Sequence, residues 1–471
     1  MAFSTYSFIF IFLPLALIVY YALPKSWRNL TLLIFSLLFY GWGSPAVLLI
    51  LIASSFVDYQ LSLKMQNNKS KRLLFYSVAL NVTVLCYYKY SNFAIEQLNL
   101  ILANLGSNQV GWAKVILPAG ISFFTFEKIS YLVDVYRGTA SPTKTFRDYL
   151  LFVSLFPHLI AGPILKYHDL YQQIVARQHS WELFNQGWRR FCFGLAKKVL
   201  IADELGKVAD QIFVMDSYSL SSPLAWLGVT CYALQIYFDF SGYSDMAIGM
   251  GRMFGFRLIE NFNWPYISQS ISEFWRRWHI SLGNWMREYL YIPLGGNRAG
   301  LARSYLNLVI VFSLSGLWHG ASWTFICWGL FHGLFLVLDR IFWTKLSGRL
   351  PKLINISVTF IVVLLGWVLF RSQSLEQAIT FYAAMFNFSS ITTTNFYPLE
   401  IIHNRGIFVL FLALIFSFAG SLSLFTKFQI KLTKETFVIT SLSSLAAIIL
   451  LVLSTIAIAA NGYSAFLYYQ F

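Results

Sequence analysis

Long apolar runs alternate with short polar loops along nearly the whole chain. Runs long enough to cross, or nearly cross, about 30 Å of hydrocarbon lie at 6–23, 29–41, 45–63, 73–90, 115–136, 148–165, 224–250, 304–338, 355–370, 407–426 and 436–459. This pattern predicts an all-α polytopic membrane protein with about eleven transmembrane or re-entrant helices. The first run has no basic segment before it and no small-residue cleavage site after it, so we interpret it as a membrane span rather than a signal peptide.

The composition supports a membrane protein. Hydrophobic residues make up 57% of the 471 residues and charged residues 12%, whereas a soluble domain has about 25% charged residues. The net charge of +15 comes from short basic clusters between apolar runs, without a basic tail or an RNA-binding motif, so we expect no nucleic-acid binding. The four cysteines form no CxxC pair, which indicates neither a metal site nor a disulfide framework.

Basic loops alternate with loops that carry few charges. Basic residues cluster near 25–28, 64–72, 137–147 and 427–434, and the positive-inside rule makes these loops cytoplasmic. Both termini are then predicted on the extracytoplasmic side. Because the chain has no visible repeat and no low-complexity linker, we predict one domain over residues 1–471. Its functional core is predicted at about 115–345, where Trp, Arg, His, Gly and Pro are denser and the apolar runs are broken.

His319 lies deep in an apolar run. The 35 residues between Arg303 and Asp339 contain no charged residue, and a single helix of that length would reach about 50 Å, well beyond the bilayer core. The run is therefore expected to break, and the sequence GLWHGA at 316–321 is the place we predict. An ionisable group at that depth usually faces a cavity or a partner; the alternative is a histidine that only packs helices together.

A second group of residues follows an amphipathic pattern at 271–290. Apolar residues recur there at helical spacing, with arginines on the other side. This favours one helix on the cytoplasmic surface, with its arginines toward phosphate headgroups. His279 lies four residues after Trp275 on the apolar stripe, so we predict that it points into the protein.

Other polar residues in apolar runs admit two interpretations. Asp239 and Asp245 are explained by helix capping or by pairing with an arginine about as well as by catalysis. We interpret His332 as a structural neighbour of His319, and His158 as a residue that shapes a broken segment. The chain has no phosphate-binding loop, HExxH zinc pair or GxSxG nucleophile elbow. A buried neutral histidine without a serine partner suggests general-base activation of an incoming hydroxyl.

Six separated motifs resemble the membrane-bound O-acyltransferases, and more narrowly the bacterial alginate O-acetylase branch. They are ENFNWPYI at 260–267 continuing through EFWRRWHISL at 273–282 to REYLYIPLGGNR at 287–298, GLWHG at 316–320 with WGLFHG at 328–333, FFTF at 123–126, PHLIAGP at 157–163, YSDMAIG at 243–249, and FLYYQF at 466–471. The resemblance covers essentially the whole chain. Gly283 and Glu288 depart mildly from the expected pattern.

The resemblance implies a many-helix fold around a central tunnel in the bacterial inner membrane. It makes His319 the catalytic histidine and places His279 nearer the cytoplasmic mouth. The donor is expected to be acetyl-CoA or an acyl carrier thioester, entering past Trp275, Arg276 and Arg277, with no bound cofactor and no metal. The expected product is an O-acetylated exopolysaccharide such as alginate, or another cell-envelope glycan, with periplasmic acetyltransferase partner proteins completing the transfer.

Three alternatives stay open. Transfer of D-alanine from a carrier protein to teichoic acid is an alternative within the enzyme class. A transporter of lipid-linked sugars would also need broken helices and buried polar groups, but it typically shows repeated halves, which are not visible here. A structural membrane partner of a separate enzyme is the third, and it predicts that both histidines can be replaced without loss.

Overall fold

A computed structural model describes residues 2–43, 45–298, 300–388, 401–421, 437–462 and 465–467. In this part of the chain every regular element is helical, which confirms the all-α prediction. The α-helices are α1 (Leu13–Ala22), α2 (Arg28–Gly41), α3 (Pro45–Asn67), α4 (Lys71–Asn104), α5 (Ile121–Arg137), α6 (Phe146–Ser154), α7 (Tyr167–Val175), α8 (Trp181–Ala196), α9 (Asp203–Phe213), α10 (Ser222–Met253), α11 (Ile271–Arg277), α12 (Ile280–Met286), α13 (Leu301–His319), α14 (Trp323–Leu338), α15 (Thr344–Ser347), α16 (Lys352–Arg371), α17 (Leu375–Phe386), α18 (Asn404–Phe418) and α19 (Phe437–Asn461).

Shorter helical segments of other types join or extend these helices. The π-helical segments are Ser7–Phe12, Lys197–Ala202, Arg287–Tyr291 and Asp339–Trp343, and the 3-10 segments are Lys25–Trp27, Pro265–Ile267 and Ala419–Ser421.

Among the described residues, six helices are long and apolar enough to cross a membrane. They are Pro45–Asn67, Leu301–His319, Trp323–Ser347, Lys352–Arg371, Asn404–Ser421 and Phe437–Ala460. The protein is therefore a polytopic membrane protein, while the count of eleven spanning or re-entrant helices and the central tunnel stay predictions. The predicted basic loop at 427–434 and the chain end at 468–471 lie outside the described residues.

The chain divides into two compact units. The first unit comprises Met1–Trp188 with Ala247–Ile259, and the second comprises Arg189–Met246 with Glu260–Phe471. The expectation of a single domain stays a prediction.

The first unit buries two ion pairs. Lys128 Nζ lies 3.0 Å from Asp58 Oδ2, and both side chains are almost fully buried. Asn81 donates its amide to the other oxygen of Asp58, at 2.9 Å. His158 Nδ1 lies 2.7 Å from Glu127 Oε1 in an equally buried pair. This contact agrees with the interpretation of His158 as a residue that shapes the fold.

The second unit pairs both acids of its long apolar helix α10. Asp239 lies 2.8 Å from Lys198 Nζ and accepts a hydrogen bond from the backbone of Leu467 at 3.0 Å. Asp245 lies 2.7 Å from Arg190 and 2.6 Å from Lys197. Pairing with basic residues therefore accounts for both acids, because a buried carboxylate needs such compensation.

The uncharged run of the second unit breaks where it was predicted to break. Helix α13 ends at His319 and α14 begins at Trp323, with Gly320 in an extended conformation between them. Glycines let the two helices approach closely. A Cβ atom on Gly316 would collide with the carbonyl of Phe325, and one on Gly329 with the carbonyl of Phe312. This close hairpin fixes His319 at the end of a packed helix.

Candidate active site

His319 is the last residue of α13 and only 4% exposed. Aromatic rings surround its imidazole: Trp318, Trp328 and Phe370 have ring centroids 4.8, 5.0 and 5.1 Å from it. These rings give the imidazole apolar neighbours that exclude water on their side.

His332 belongs to the same aromatic cluster. Its ring centroid lies 5.0 Å from that of Trp328, and its Nδ1 accepts a hydrogen bond from the Trp275 indole at 3.4 Å. The neighbouring helix α16 makes room for it, because a Cβ on Gly366 would lie 2.6 Å from His332 Nε2. The structure therefore places His332 beside the His319 site, as expected for a structural neighbour.

The segment around His279 is not the continuous surface helix that the sequence predicted. Helix α11 ends at Arg277, α12 starts at Ile280, and His279 between them has φ +45°. Among the described residues only Trp264 is another non-glycine residue with positive φ. Such a conformation costs of order 1–3 kcal/mol and persists where surrounding contacts impose it. The spacing argument assumed an unbroken helix and was wrong on that point, although His279 is buried as predicted, with 1% exposure.

Asn261 imposes the position of His279. Its backbone carbonyl accepts from Ile280 N at 3.0 Å, and its side-chain oxygen lies 3.2 Å from His279 Nδ1. That same oxygen accepts from the backbone N–H of Ser281 at 3.2 Å and from the Ser281 hydroxyl at 2.9 Å. The amide nitrogen of Asn261 donates to Ser244 at 3.1 Å.

These contacts assign the tautomer of His279. A backbone N–H can only donate, so the Asn261 atom that faces Ser281 must be the oxygen. His279 Nδ1 then carries the hydrogen that this oxygen accepts, and Nε2 carries the lone pair. Burial lowers the pKa of His279 to about 3, which keeps the ring neutral at physiological pH.

A cavity of about 520 Å³ opens beside His279. Trp275, Arg276 and His279 line it from the α11–α12 segment, and Arg287 and Arg340 add two further cations. Its size lies within the range of about 300–1,000 Å³ that is usual for small-molecule sites. Its three guanidinium groups suit a phosphate-bearing ligand.

Of the three residues predicted at the donor entrance, Arg277 alone does not line this cavity. Its guanidinium lies 2.8 Å from Glu273 and donates to the carbonyl of Asn263 at 3.1 Å. These bonds tie α11 to the segment before it, so Arg277 positions the wall of the cavity. Arg276 is exposed and lines the cavity as expected.

One face of α13 connects the cavity with His319. Leu308, Val311, Phe312 and Ser315 line the cavity, and their spacing marks a single helix face. His319 follows Ser315 by four residues, which places it one turn further along that face. The Trp318 ring neighbours both histidines, with its centroid 6.2 Å from His279 and 4.8 Å from His319. The two histidines that the sequence singled out 40 residues apart therefore share one aromatic neighbour, although only His279 lines the cavity.

Two features of the site were missed by sequence reasoning. Asn261 lies 18 residues before His279, and no spacing rule links a loop amide to a histidine across a helix. The indole N–H of Trp328 is buried and has no hydrogen-bond partner within the described part of the chain, which is uncommon for a polar group. The backbone N–H of Gly320, next to His319, bonds to the carbonyl of Gly316 at 3.2 Å.

Comparisons with known proteins agree on one family. The model of the membrane-bound O-acyltransferase family matches residues 53–347. A probable alginate O-acetylase from Azotobacter vinelandii is 45% identical over 84% of this chain and 80% of its own length. A peptidoglycan O-acetyltransferase from Helicobacter pylori is 38% identical over 83% of this chain and 80% of its own length. A teichoic acid D-alanyltransferase from Bacillus subtilis is 29% identical over 54% of this chain and 68% of its own length.

Proposed function

This chain belongs to the membrane-bound O-acyltransferase family, and from that premise we propose that it moves an acetyl group from a cytoplasmic thioester to a hydroxyl in O-acetylation of a cell-envelope polysaccharide, such as alginate. The feature of the structure that carries this proposal is the cavity beside His279, which extends along the α13 face that ends in His319. The extensive similarity to O-acetylating relatives supports acetyl as the transferred group.

His319 acts in this proposal as the general base. It takes the proton of the acceptor hydroxyl while the oxygen forms a bond to the thioester carbonyl carbon. The carbon–sulfur bond then breaks, and the thiolate takes the proton back from the imidazolium. An apolar, water-excluding surround suits this step because it prevents hydrolysis of the thioester.

His279 and Arg276 receive the donor. The three guanidinium groups of the cavity attract the phosphates of acetyl-CoA or of a carrier's phosphopantetheine. His279, neutral and held by Asn261, offers Nε2 as a hydrogen-bond acceptor to the pantetheine arm. The donor side of the path is then cytoplasmic. This accords with the basic loops there and, by the positive-inside rule, with both termini on the extracytoplasmic side of the inner membrane.

The Trp328 indole is a suitable donor for the carbonyl oxygen of the thioester. Its N–H is buried without a described partner and its ring contacts His319. A Trp328→Phe variant keeps an aromatic ring and loses the N–H, so we expect kcat to fall about 10²-fold. Unchanged kcat in a correctly folded Trp328→Phe protein would remove Trp328 from this role.

The test is acyl transfer by the purified full chain in lipid nanodiscs. Thiol release from acetyl-CoA and ester formation on an alginate oligosaccharide are both measured, with His319→Gln as the comparison variant. Because periplasmic partner proteins are expected to complete the transfer, thiol release is also measured with an extracytoplasmic extract added. We expect release in the wild type and its loss in His319→Gln.

The alternatives make different predictions in the same assay. D-alanyl transfer requires release from a D-alanyl carrier protein and none from acetyl donors. A lipid-linked sugar transporter, or a purely structural partner, releases no thiol from any donor under any of these conditions. Equal thiol release by the wild type and a folded His319→Gln protein would contradict the assignment of His319 as base.

A further inference from the structure

The first unit contains a basic cavity that acyl transfer does not use. It has a volume of about 1000 Å³ and is formed by three separate stretches of the chain, at 25–29, 141–148 and 167–179. Its lining includes five cations and one carboxylate: Lys25, Arg28, Lys144, Arg147, Arg177 and Asp148. Five positive charges around one cavity repel one another unless an anion joins them.

Asp148 offsets only one of the five positive charges, and its oxygens already accept hydrogen bonds. One of its oxygens accepts from Asn29 at 3.0 Å and the other from Thr145 at 2.7 Å. Arg147 approaches it only at 3.8 Å. Thr145 caps α6 by accepting from the backbone N–H of Asp148 at 3.2 Å, and the Asp148 side chain holds Asn29. The other four cations have no carboxylate partner in the described part of the chain.

Arg28 and Arg177 are held in place by uncharged groups. Arg28 donates to His179 Nδ1 at 3.2 Å, and Arg177 donates through two nitrogens to the Tyr20 hydroxyl at 3.2 and 3.3 Å. The Nε atom of Arg28 is buried and has no hydrogen-bond partner in the described residues. Both guanidinium groups are thus fixed in position with their charge uncompensated.

The protonation state of His179 reflects the positive potential of the cavity. A guanidinium cannot accept a hydrogen bond, so the contact from Arg28 makes His179 Nδ1 an acceptor and the ring neutral. The other nitrogen, Nε2, lies 2.9 Å from the Tyr20 hydroxyl, which in turn donates to the carbonyl of Phe254 at 3.0 Å. Burial, together with the charges of Arg28 and Arg177, lowers the pKa of His179 to about 4. The network thus keeps an extra positive charge out of an already basic site.

We propose that this cavity binds the phosphate group of an anionic ligand, with Arg28 and Arg177 as fixed contacts and Lys25 and Lys144 as flexible ones. Arginine suits phosphate because its planar fork donates two parallel hydrogen bonds. Two sources share this chemistry: the headgroup of an anionic phospholipid at the membrane surface, and a soluble phosphorylated metabolite. The site does not depend on the proposed acyl transfer.

The experiment measures thermal unfolding of the purified full chain in neutral detergent. Sodium pyrophosphate is the probe, and potassium chloride of equal ionic strength is the control for screening. We expect pyrophosphate to raise the Tm of the wild type by at least about 2 °C above the chloride value. The rise should disappear in Arg28→Gln/Arg177→Gln. It should also disappear in Lys25→Gln/Lys144→Gln, whose two exposed side chains make no described contact.

A matched control removes two charges elsewhere. Lys71 and Arg72 are exposed basic residues at the start of α4, outside the cavity. Lys71→Gln/Arg72→Gln should keep the full pyrophosphate effect. An equal rise in Tm in the wild type and in both cavity variants would overturn the proposal, because it would show that the anion acts elsewhere.

Nanodiscs separate the two sources of phosphate. Phosphatidylcholine discs are compared with discs that also contain phosphatidylglycerol. If the ligand is a lipid, phosphatidylglycerol should raise the Tm of the wild type and of the Lys71/Arg72 control, but not that of the cavity variants. Pyrophosphate should then have no further effect on the Tm in the discs that contain phosphatidylglycerol. A soluble ligand predicts the same pyrophosphate effect in both kinds of disc. No rise above the chloride value in detergent and in either disc would refute the site.

Discussion

Two histidines of the first unit and two of the second have different kinds of neighbour. In the first unit, His158 lies 2.7 Å from Glu127 and His168 lies 2.9 Å from Asp134. In the second unit, aromatic rings surround His319 and His332. An imidazole that pairs with a carboxylate is committed to that contact, and it helps to hold two segments of the chain together. The aromatic rings beside His319 exclude water on their side, which suits the proton exchange that we propose for this residue, while His332 is its structural neighbour.

This contrast shows that burial alone does not identify a reactive histidine. His158 and His319 are both buried and both lie beside glycine or proline in the sequence. Among the described residues their neighbours differ, because a carboxylate faces His158 and aromatic rings face His319. Replacing each histidine tests whether the two are as distinct in function as they are in these neighbours.

Replacement of His319 should have the largest effect on activity. His319→Gln keeps a polar side chain of similar size but cannot act as a base, so we expect kcat/KM for acetyl transfer to fall by up to about 10⁴-fold. The Tm should change little, because the ring makes packing contacts that glutamine partly replaces. Thiol release and Tm are measured on the same nanodisc preparation.

His158→Gln is the matched control in the first unit. It breaks the buried pair with Glu127 and should lower the Tm, while kcat per folded molecule stays within about twofold of the wild type, a difference of less than about 0.5 kcal/mol in the barrier. If His158→Gln lost activity as strongly as His319→Gln at unchanged Tm, the distinction between paired and aromatic histidines would be wrong.

The buried ion pair of the first unit should give the largest loss of stability. Lys128→Met leaves the Asp58 carboxylate buried without its cation, which should cost about 3–5 kcal/mol of unfolding free energy. The double variant Asp58→Asn/Lys128→Met removes both charges and keeps an amide that can bond to Asn81. We expect it to recover most of the loss in denaturant unfolding. A double variant as unstable as Lys128→Met would show that shape, rather than charge, dominates there.

Features that depend on the local pattern of apolar residues could be predicted from the sequence. The apolar runs predicted helices, and the length of the run after Arg303 predicted its break near His319 because no single helix of that length fits a bilayer. The break at His279 was not predictable in this way. Helical spacing continues through it, and the positive φ is imposed by Asn261, which is distant in sequence.

Pairing between residues that are distant in the sequence could likewise not be predicted. The sequence placed Arg276 and Arg277 together at the donor entrance, but Glu273 draws Arg277 away from the cavity. An arginine was expected as the partner of Asp239 and Asp245; Asp245 does pair with Arg190, but Asp239 pairs with Lys198. Whether a charge meets its counterion depends on tertiary packing, which the pattern of apolar positions does not encode.

Replacing Asn261 tests whether His279, in the second unit, needs a hydrogen-bond partner to hold it in place. Asn261→Ala removes the acceptor that holds Nδ1–H of His279, so the ring can rotate or change tautomer. A small misplacement at an active site can cost about 10²-fold, and we expect a loss of that order or less in kcat/KM for the thioester. Asn261→Asp keeps the acceptor oxygen and should restore part of the activity. Equal activity of Asn261→Ala and the wild type at saturating and limiting donor would show that His279 needs no positioning by Asn261.

The smallest effect is expected from His168, as a dependence of stability on pH. Hydrogen bonds to Asp134 and then to Asp169 raise the pKa of His168 from its ordinary value of 6.5 to about 10. Because the folded-state pKa is raised, this contribution to stability is complete below about pH 6.5 and is lost as the pH rises toward 10. The Tm difference between the wild type and His168→Gln should therefore be largest near pH 6 and shrink steadily up to about pH 10. A difference that stayed constant over this range would mean that His168 is neutral in the folded protein, and the pairing of histidine with carboxylate in the first unit would be a hydrogen bond without charge.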